Sequence, residues 1–186
     1  PAETTPATET AAMETTTEVT VATVAEETVA NTQAVETQAV TDTASVGEKN
    51  ALRKAHDYLN YTAFSYTGLI GQLEYEGFTT EEATYAVDNC GADWFEQAEK
   101  KAADYLNYSA FSYTGLIGQL EYEGFTTEEA TRAADNCGAD WNEQAVKKAK
   151  EYLDYSSFSR SGLIGQLKYE GFTNEQAEYG VTQNGL

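Results

Sequence analysis

Gly68-Leu-Ile-Gly-Gln-Leu73 is written again as Gly115-Leu-Ile-Gly-Gln-Leu120 and once more as Gly162-Leu-Ile-Gly-Gln-Leu167, 47 positions apart each time. Working outward from that string divides the C-terminal part of the chain into units 46–92, 93–139 and 140–186. The first two are nearly one text: Asp57 to Ala98 and Asp104 to Ala145 differ at four positions. A period of this length marks an array of small supersecondary units that bury apolar surface against themselves and their neighbours. Such arrays offer surfaces to partners and seldom house a reaction.

Residues 1–45 are of another kind. They hold 14 Thr, both prolines of the chain, eight acids, no base and no aromatic residue. A segment so poor in large apolar side chains cannot offset the entropy of ordering, so it is expected to be a disordered acidic spacer. Its Thr content is also that of a cell-surface stalk. The three units carry 23 acids against 11 bases, −12 of the total −20. A field of that sign repels phosphate backbones and attracts basic partners, besides keeping an exposed protein soluble. No run approaches the ~20 apolar residues of a membrane span. Cys90 and Cys137 occupy equivalent places in units one and two. Equivalent places in a stack seldom come within the ~4.4–6.8 Å Cα separation of a disulfide, so two free, partly buried thiols are expected.

Unit two shows the local chemistry. Asp93 followed by Glu96 signs the start of a helix A over about 93–107, and Trp94, Ala98, Ala102, Tyr105 and Leu106 form its apolar stripe, with Lys100 and Lys101 off it. Unit one has Val46 and Gly47 in place of Asp93 and Trp94, which predicts an uncapped first helix. Helix B begins at Ser112, an N-cap flanked by the staple pair Phe111 and Leu116. Gly115 and Gly118 cost it about 1 kcal/mol each relative to Ala, and their threefold repetition predicts a close backbone crossing. Gly124 ends helix B. Thr126 with Glu129 forms a second capping box, repeated as Thr79 with Glu82 and Thr173 with Gln176, and helix C runs to Asn136 before Cys137-Gly138 stops it. The expectation is an all-α protein: three tandem three-helix units, each containing a helix-turn-helix, behind a disordered Thr/Ala/Glu-rich tail.

A helix-turn-helix invites comparison with DNA-binding proteins, whose second helix needs Arg, Lys, Asn or Gln near its start. Here those places read Thr80-Glu81-Glu82, Thr127-Glu128-Glu129 and Asn174-Glu175-Gln176. Glutamates there suit the helix dipole and oppose phosphate, so no nucleic-acid partner is expected. Catalytic groups are equally sparse. His56 is the sole histidine, replaced by Ala103 and Lys150 in the other units, and neither cysteine has a basic neighbour in sequence to activate it. The stretch Asp88 to Glu99 has the length of a calcium loop but offers Cys90 and Ala92 at positions three and five and Asp93 where Gly belongs. Neither an enzyme nor a cofactor or metal is expected.

Tyrosines exceed what units this small can bury. Tyr58, Tyr105 and Tyr152 read as helix packing. Tyr75, Tyr122 and Tyr169, beside Glu76, Glu123 and Glu170, read as an exposed contact face.

Together these residues resemble the host cell surface-exposed lipoproteins, the Ltp-type superinfection-exclusion proteins of temperate phages and Gram-positive bacteria. The likeness is clearest in Ala149-Lys-Glu-Tyr152-Leu153, Phe158-Ser159-Arg160-Ser161-Gly162-Leu163-Ile164, Gln166-Leu167 and Tyr169-Glu170-Gly171-Phe172-Thr173, and it covers 46–186. It implies helical repeats held outside the membrane by a lipidated N-terminal Cys and a flexible spacer, the anchor being the chain's one tie to the membrane. It also implies blockage of incoming phage DNA through contact with the tape-measure protein, or another basic or amphipathic helical protein. The partner-binding residues expected on that basis are Glu74, Tyr75, Glu76, Glu81 and Glu82 in unit one and Glu121, Tyr122, Glu123, Glu128 and Glu129 in unit two. The residues themselves also admit a host structural or adhesive surface protein with no role against phage.

Overall fold

In the computed structural model the described residues are 43–186, so the tail expected to be disordered falls, up to residue 42, outside them. Among the described residues there are nine helices and no strand. They run α1 Val46–Tyr61, α2 Tyr66–Tyr75, α3 Thr80–Asn89; α4 Trp94–Tyr108, α5 Tyr113–Tyr122, α6 Thr127–Asn136; and α7 Trp141–Tyr155, α8 Arg160–Tyr169, α9 Asn174–Gln183. The helical array is one compact unit, and within each repeat the first helix packs most extensively on the third.

Local chemistry sets the ends. Thr79, Thr126 and Thr173 close reciprocal capping boxes with Glu82, Glu129 and Gln176. Gly77, Gly124 and Gly171 take φ of 95°, 89° and 92°, and the Phe125 amide reaches back to the Leu120 carbonyl while the Gly124 amide bonds that of Glu121. That is a Schellman ending, which the left-handed glycine makes possible. Two cap expectations need correction. The first helix is capped after all: Ser45, one residue upstream of the Asp93 equivalent, forms a full box with Glu48. Conversely, Asp93 accepts from the Phe95 and Glu96 amides, but the Glu96 side chain pairs with Lys100 at 2.8 Å.

Each repeat closes its own core. Ala98, Ala102, Leu116, Leu120, Ala130 and Ala133 are fully buried in the second, and the others repeat the pattern, the third with Gly180 in the place of Ala133. Small residues on the first and third helices let their axes approach, while leucines of the second fill the wedge. Burying each such leucine is worth about 1.5–3 kcal/mol.

The junctions between repeats are polar clasps with aromatic edges. Ser65 Oγ donates to the Glu123 carbonyl at 2.6 Å and Thr67 Oγ1 to that of Gly124 at 3.0 Å. Ser112 and Thr114 do the same to Glu170 and Gly171 at 2.5 and 3.2 Å. Tyr66 meets Trp94 edge-on at 5.5 Å, and Tyr113 meets Trp141 likewise. Each Trp thereby covers the core of the preceding repeat rather than only its own helix stripe. Lys101, off the apolar stripe as expected, reaches the junction: its ammonium lies 5.8 Å from the centre of the Phe64 ring. At the second junction Gln144, nearly buried, accepts from the Phe111 amide at 3.4 Å, and Glu151 accepts from that of Ala110 at 3.0 Å.

These clasps explain two of the six repeated glycines, and Gly162 has no neighbouring carbonyl of this kind. A Cβ on Gly68 or Gly115 would come within 3.3 or 3.2 Å of the Glu123 or Glu170 carbonyl, so the expected close crossing exists there. Gly71, Gly118 and Gly165 have nothing within 4 Å, and the crossing does not extend to them. Cys90 and Cys137 are free, the first buried and the second half-buried, each hydrogen-bonded to a carbonyl of its own helix.

Candidate partner-binding surface

The ten residues expected to form the contact face divide by what they already hold. Tyr75, Tyr122 and the third-repeat Tyr169 end the second helix of each repeat and are 85, 87 and 87% exposed. A tyrosine left that open contributes little to the core and presents a large amphipathic ring to any partner. Glu81 and Glu128, one position into the third helix, are exposed and carry no hydrogen bond or ion pair among the described residues. Glu74 and Glu121 are exposed too, each accepting from Thr80 or Thr127 across the Gly turn at 2.6 Å. The third repeat keeps this bridge with other chemistry, Lys168 donating to Asn174 at 3.3 Å.

The remaining four are engaged by the fold. Glu82 and Glu129 bond the N-cap amides of Thr79 and Thr126. Glu76 and Glu123 accept from the Tyr58 and Tyr105 hydroxyls, and stand 3.4 and 3.5 Å from Lys54 and Lys101. They tie the end of the second helix to the first. Tyr58, Tyr105 and Tyr152 therefore pack as expected, each also accepting from a helix-two glutamine, Gln72, Gln119 or Gln166.

Three further exposed rings, part of the tyrosine excess, lie outside the expected contact face. Tyr61, Tyr108 and Tyr155 close the first helices and are 88, 93 and 92% exposed. Tyr108 lines a shallow groove of about 230 Å³ at the first junction with Thr62, Lys101, Asp104 and Tyr105. The sequence signal was angular: Tyr61 lies outside the stripe marked by Ala51, Ala55 and Tyr58 at 3.6 residues per turn. Each repeat thus displays two open tyrosines near carboxylates, and the third adds the less exposed Tyr179. Among the described residues no group of three or more His, Cys, Asp or Glu side chains is placed to hold a metal, and no helix is long and apolar enough to cross a membrane.

The Tyr–carboxylate ties carry a pH signature. The carboxylate of Glu76 raises the Tyr58 phenol above its ordinary value, and that hydroxyl, with Lys54, lowers Glu76. Burial first, then Glu123 and Glu170, raise Tyr105 and Tyr152. A raised phenol favours folding below its ordinary value of 10.0, and the contribution is lost as pH climbs through the raised one. A lowered carboxyl acts oppositely: its contribution is present above 4.5 and disappears as pH falls through the depressed value. Thermal melts followed by circular dichroism should therefore plateau between these ranges and fall at both ends. Tyr58→Phe, Tyr105→Phe and Tyr152→Phe combined should flatten the alkaline fall; an unaltered alkaline limb would refute the assignment.

The fold and this surface define a class: a tandem α-helical repeat protein with a carboxylate-rich, tyrosine-bearing exterior. The family model for host cell surface-exposed lipoproteins matches residues 47–90, 93–137 and 140–183, once per repeat, and the chain belongs to that family. Among solved structures it is similar to Ltp, a superinfection exclusion protein from the Streptococcus thermophilus temperate phage TP-J34, at 33% identity and a TM-score of 0.45. That similarity covers 47% of this chain and 92% of the other. No curated protein matches.

Proposed function

We propose that this protein is a superinfection-exclusion protein displayed on the outer face of the cell membrane, which stops phage DNA entry by binding a phage protein. Family membership over all three repeats is the observation that carries the reading. The partner fits the chemistry of the surface: a basic or amphipathic helical polypeptide, of which the tape-measure protein is the specific candidate. The repeats' net negative charge draws such a segment in, Glu74, Glu81, Glu121 and Glu128 offer it carboxylates, and Tyr75 and Tyr122 supply apolar anchors. Nucleic acid is disfavoured by the same charge. A lipid anchor N-terminal to the spacer would hold the array at the membrane, where an incoming phage protein must pass.

The test is to display the chain through a lipoprotein leader on a susceptible host, count plaques, and measure adsorption and DNA entry separately. Normal adsorption with blocked entry is the expected result. Unchanged plating with protein detected at the surface would sink the reading in favour of a structural or adhesive role for the host.

A further inference from the structure

We propose that the outer faces of the first and last repeats are complementary docking surfaces for another copy of this chain, held shut by residues that differ from those at the internal junctions. The internal junctions fix what docking requires. A Ser–x–Thr clasp on one side meets the carbonyls of a Glu-Gly turn on the other, and an outward Tyr meets an incoming Trp. Both halves of the clasp survive at the ends. The last repeat keeps hydroxyls at Ser159 and Ser161, now exposed and 3.4 Å apart. The first keeps Glu76, Gly77 and Phe78, the ring only half-buried where Phe125 and Phe172 are covered.

The aromatic halves are missing from both ends. Arg160 stands where Tyr66 and Tyr113 do, and Gly47 where Trp94 and Trp141 do. The replacement of tyrosine is compensated. Tyr66 and Tyr113 donate to Asp88 and Asp135, whereas the corresponding pair in the last repeat is Arg160 and Thr182, joined at 3.0 Å. Arg160 also donates to the Leu186 carbonyl. Ser157 replaces Ala63 and Ala110, which are nearly buried at the junctions. A repeat docking there would bury a guanidinium and a hydroxyl without new partners. A polar outer face is what keeps a repeat array from adding further units, and a head-to-tail contact that does not close would otherwise grow into filaments. The departures of the last repeat lie on its outer face, in residues 157–182, and that of the first is Gly47.

Two full-length variants test this. A tail-open chain carries Ser157→Ala, Arg160→Tyr, Ser161→Thr and Thr182→Asp. A head-open chain carries Ser45→Ala, Val46→Asp, Gly47→Trp and Asn50→Gln, which copies Ala92-Asp93-Trp94 and Gln97. Wild type should sediment as one 20.3 kDa chain at all concentrations. Each variant, shown folded by far-UV circular dichroism, should stay single, and mixing the two should raise the mass roughly twofold, as one open head takes one open tail. Failure of the folded pair to associate overturns the proposal. So does concentration-dependent association of wild type, a result that does not require either variant to fold.

Discussion

Cells displaying the chain with Tyr75→Ala, Tyr122→Ala, Tyr169→Ala, Glu81→Lys and Glu128→Lys are expected to plate an excluded phage as fully as cells without the protein. The three rings are almost wholly exposed and the two carboxylates have no side-chain partner among the described residues, so the five touch the fold only through the helix dipole that Glu81 and Glu128 complement. Loss of a single aromatic anchor in a binding hot spot costs about 2 kcal/mol or more, roughly 30-fold in affinity, and reversal of two charges adds repulsion against a basic segment. Glu82 and Glu129 are left unchanged because each closes a capping box. Their replacement would confuse a lost contact with a frayed helix, at about 1 kcal/mol per cap. Surface amount should match wild type, and the melting temperature should fall only slightly, because lysines in the first turns of α3 and α6 oppose the helix dipole. Protection persisting in the fivefold variant would remove this face from the binding site, and the ring of Tyr61, Tyr108 and Tyr155 would be the next surface to change.

Gly124→Ala and Gly171→Ala should destabilise the array far more than Gly77→Ala, although all three glycines share one turn and nearly one φ. The left-handed backbone alone costs a non-glycine residue about 1–2 kcal/mol, and Gly77→Ala meets only that, since nothing lies within 4 Å of its missing Cβ. A Cβ on Gly124 would fall 2.3 Å from Thr67 Oγ1 and 2.9 Å from Ser65 Oγ; on Gly171 it would fall 2.2 Å from Thr114 Oγ1. The clasp must open to admit it, losing two hydrogen bonds worth about 0.5–1.5 kcal/mol each. The internal substitutions should therefore cost about 2–5 kcal/mol by urea unfolding, about 1–3 kcal/mol more than Gly77→Ala. Equal losses at all three glycines would mean that the clasp contributes nothing.

What could be read from residues alone was whatever is decided within a few positions. The second and third helices follow from Ser112, Gly124 and the Thr126–Glu129 box because an N-cap, a left-handed glycine and a reciprocal box are short-range chemistry. The cap at Ser45 was hidden by the assumption that the first repeat keeps the register of the others; its helix starts one residue earlier. The contacts of Trp94 and Lys101 with the preceding repeat were not legible, for a different reason. A helical stripe says which side chains face inward, but not that a neighbouring repeat supplies part of the inside. The contact face was legible as an excess of tyrosine. Which carboxylates remain free was not, since Glu76 and Glu81 look alike until the Tyr58 hydroxyl is seen to claim one of them.

Gly71, Gly118 and Gly165 remain outside every account of folding given for the other glycines. They lie inside regular helices, face solvent, and have open space where a methyl group would go. Alanine would rigidify each site without a steric clash, so the chain forgoes about 1 kcal/mol at three places in a fold whose whole margin is typically 5–15 kcal/mol. Each lies one turn before an outward tyrosine, leaving bare main chain beneath the ring's reach. A visitor's backbone could approach there more closely than any side chain would permit.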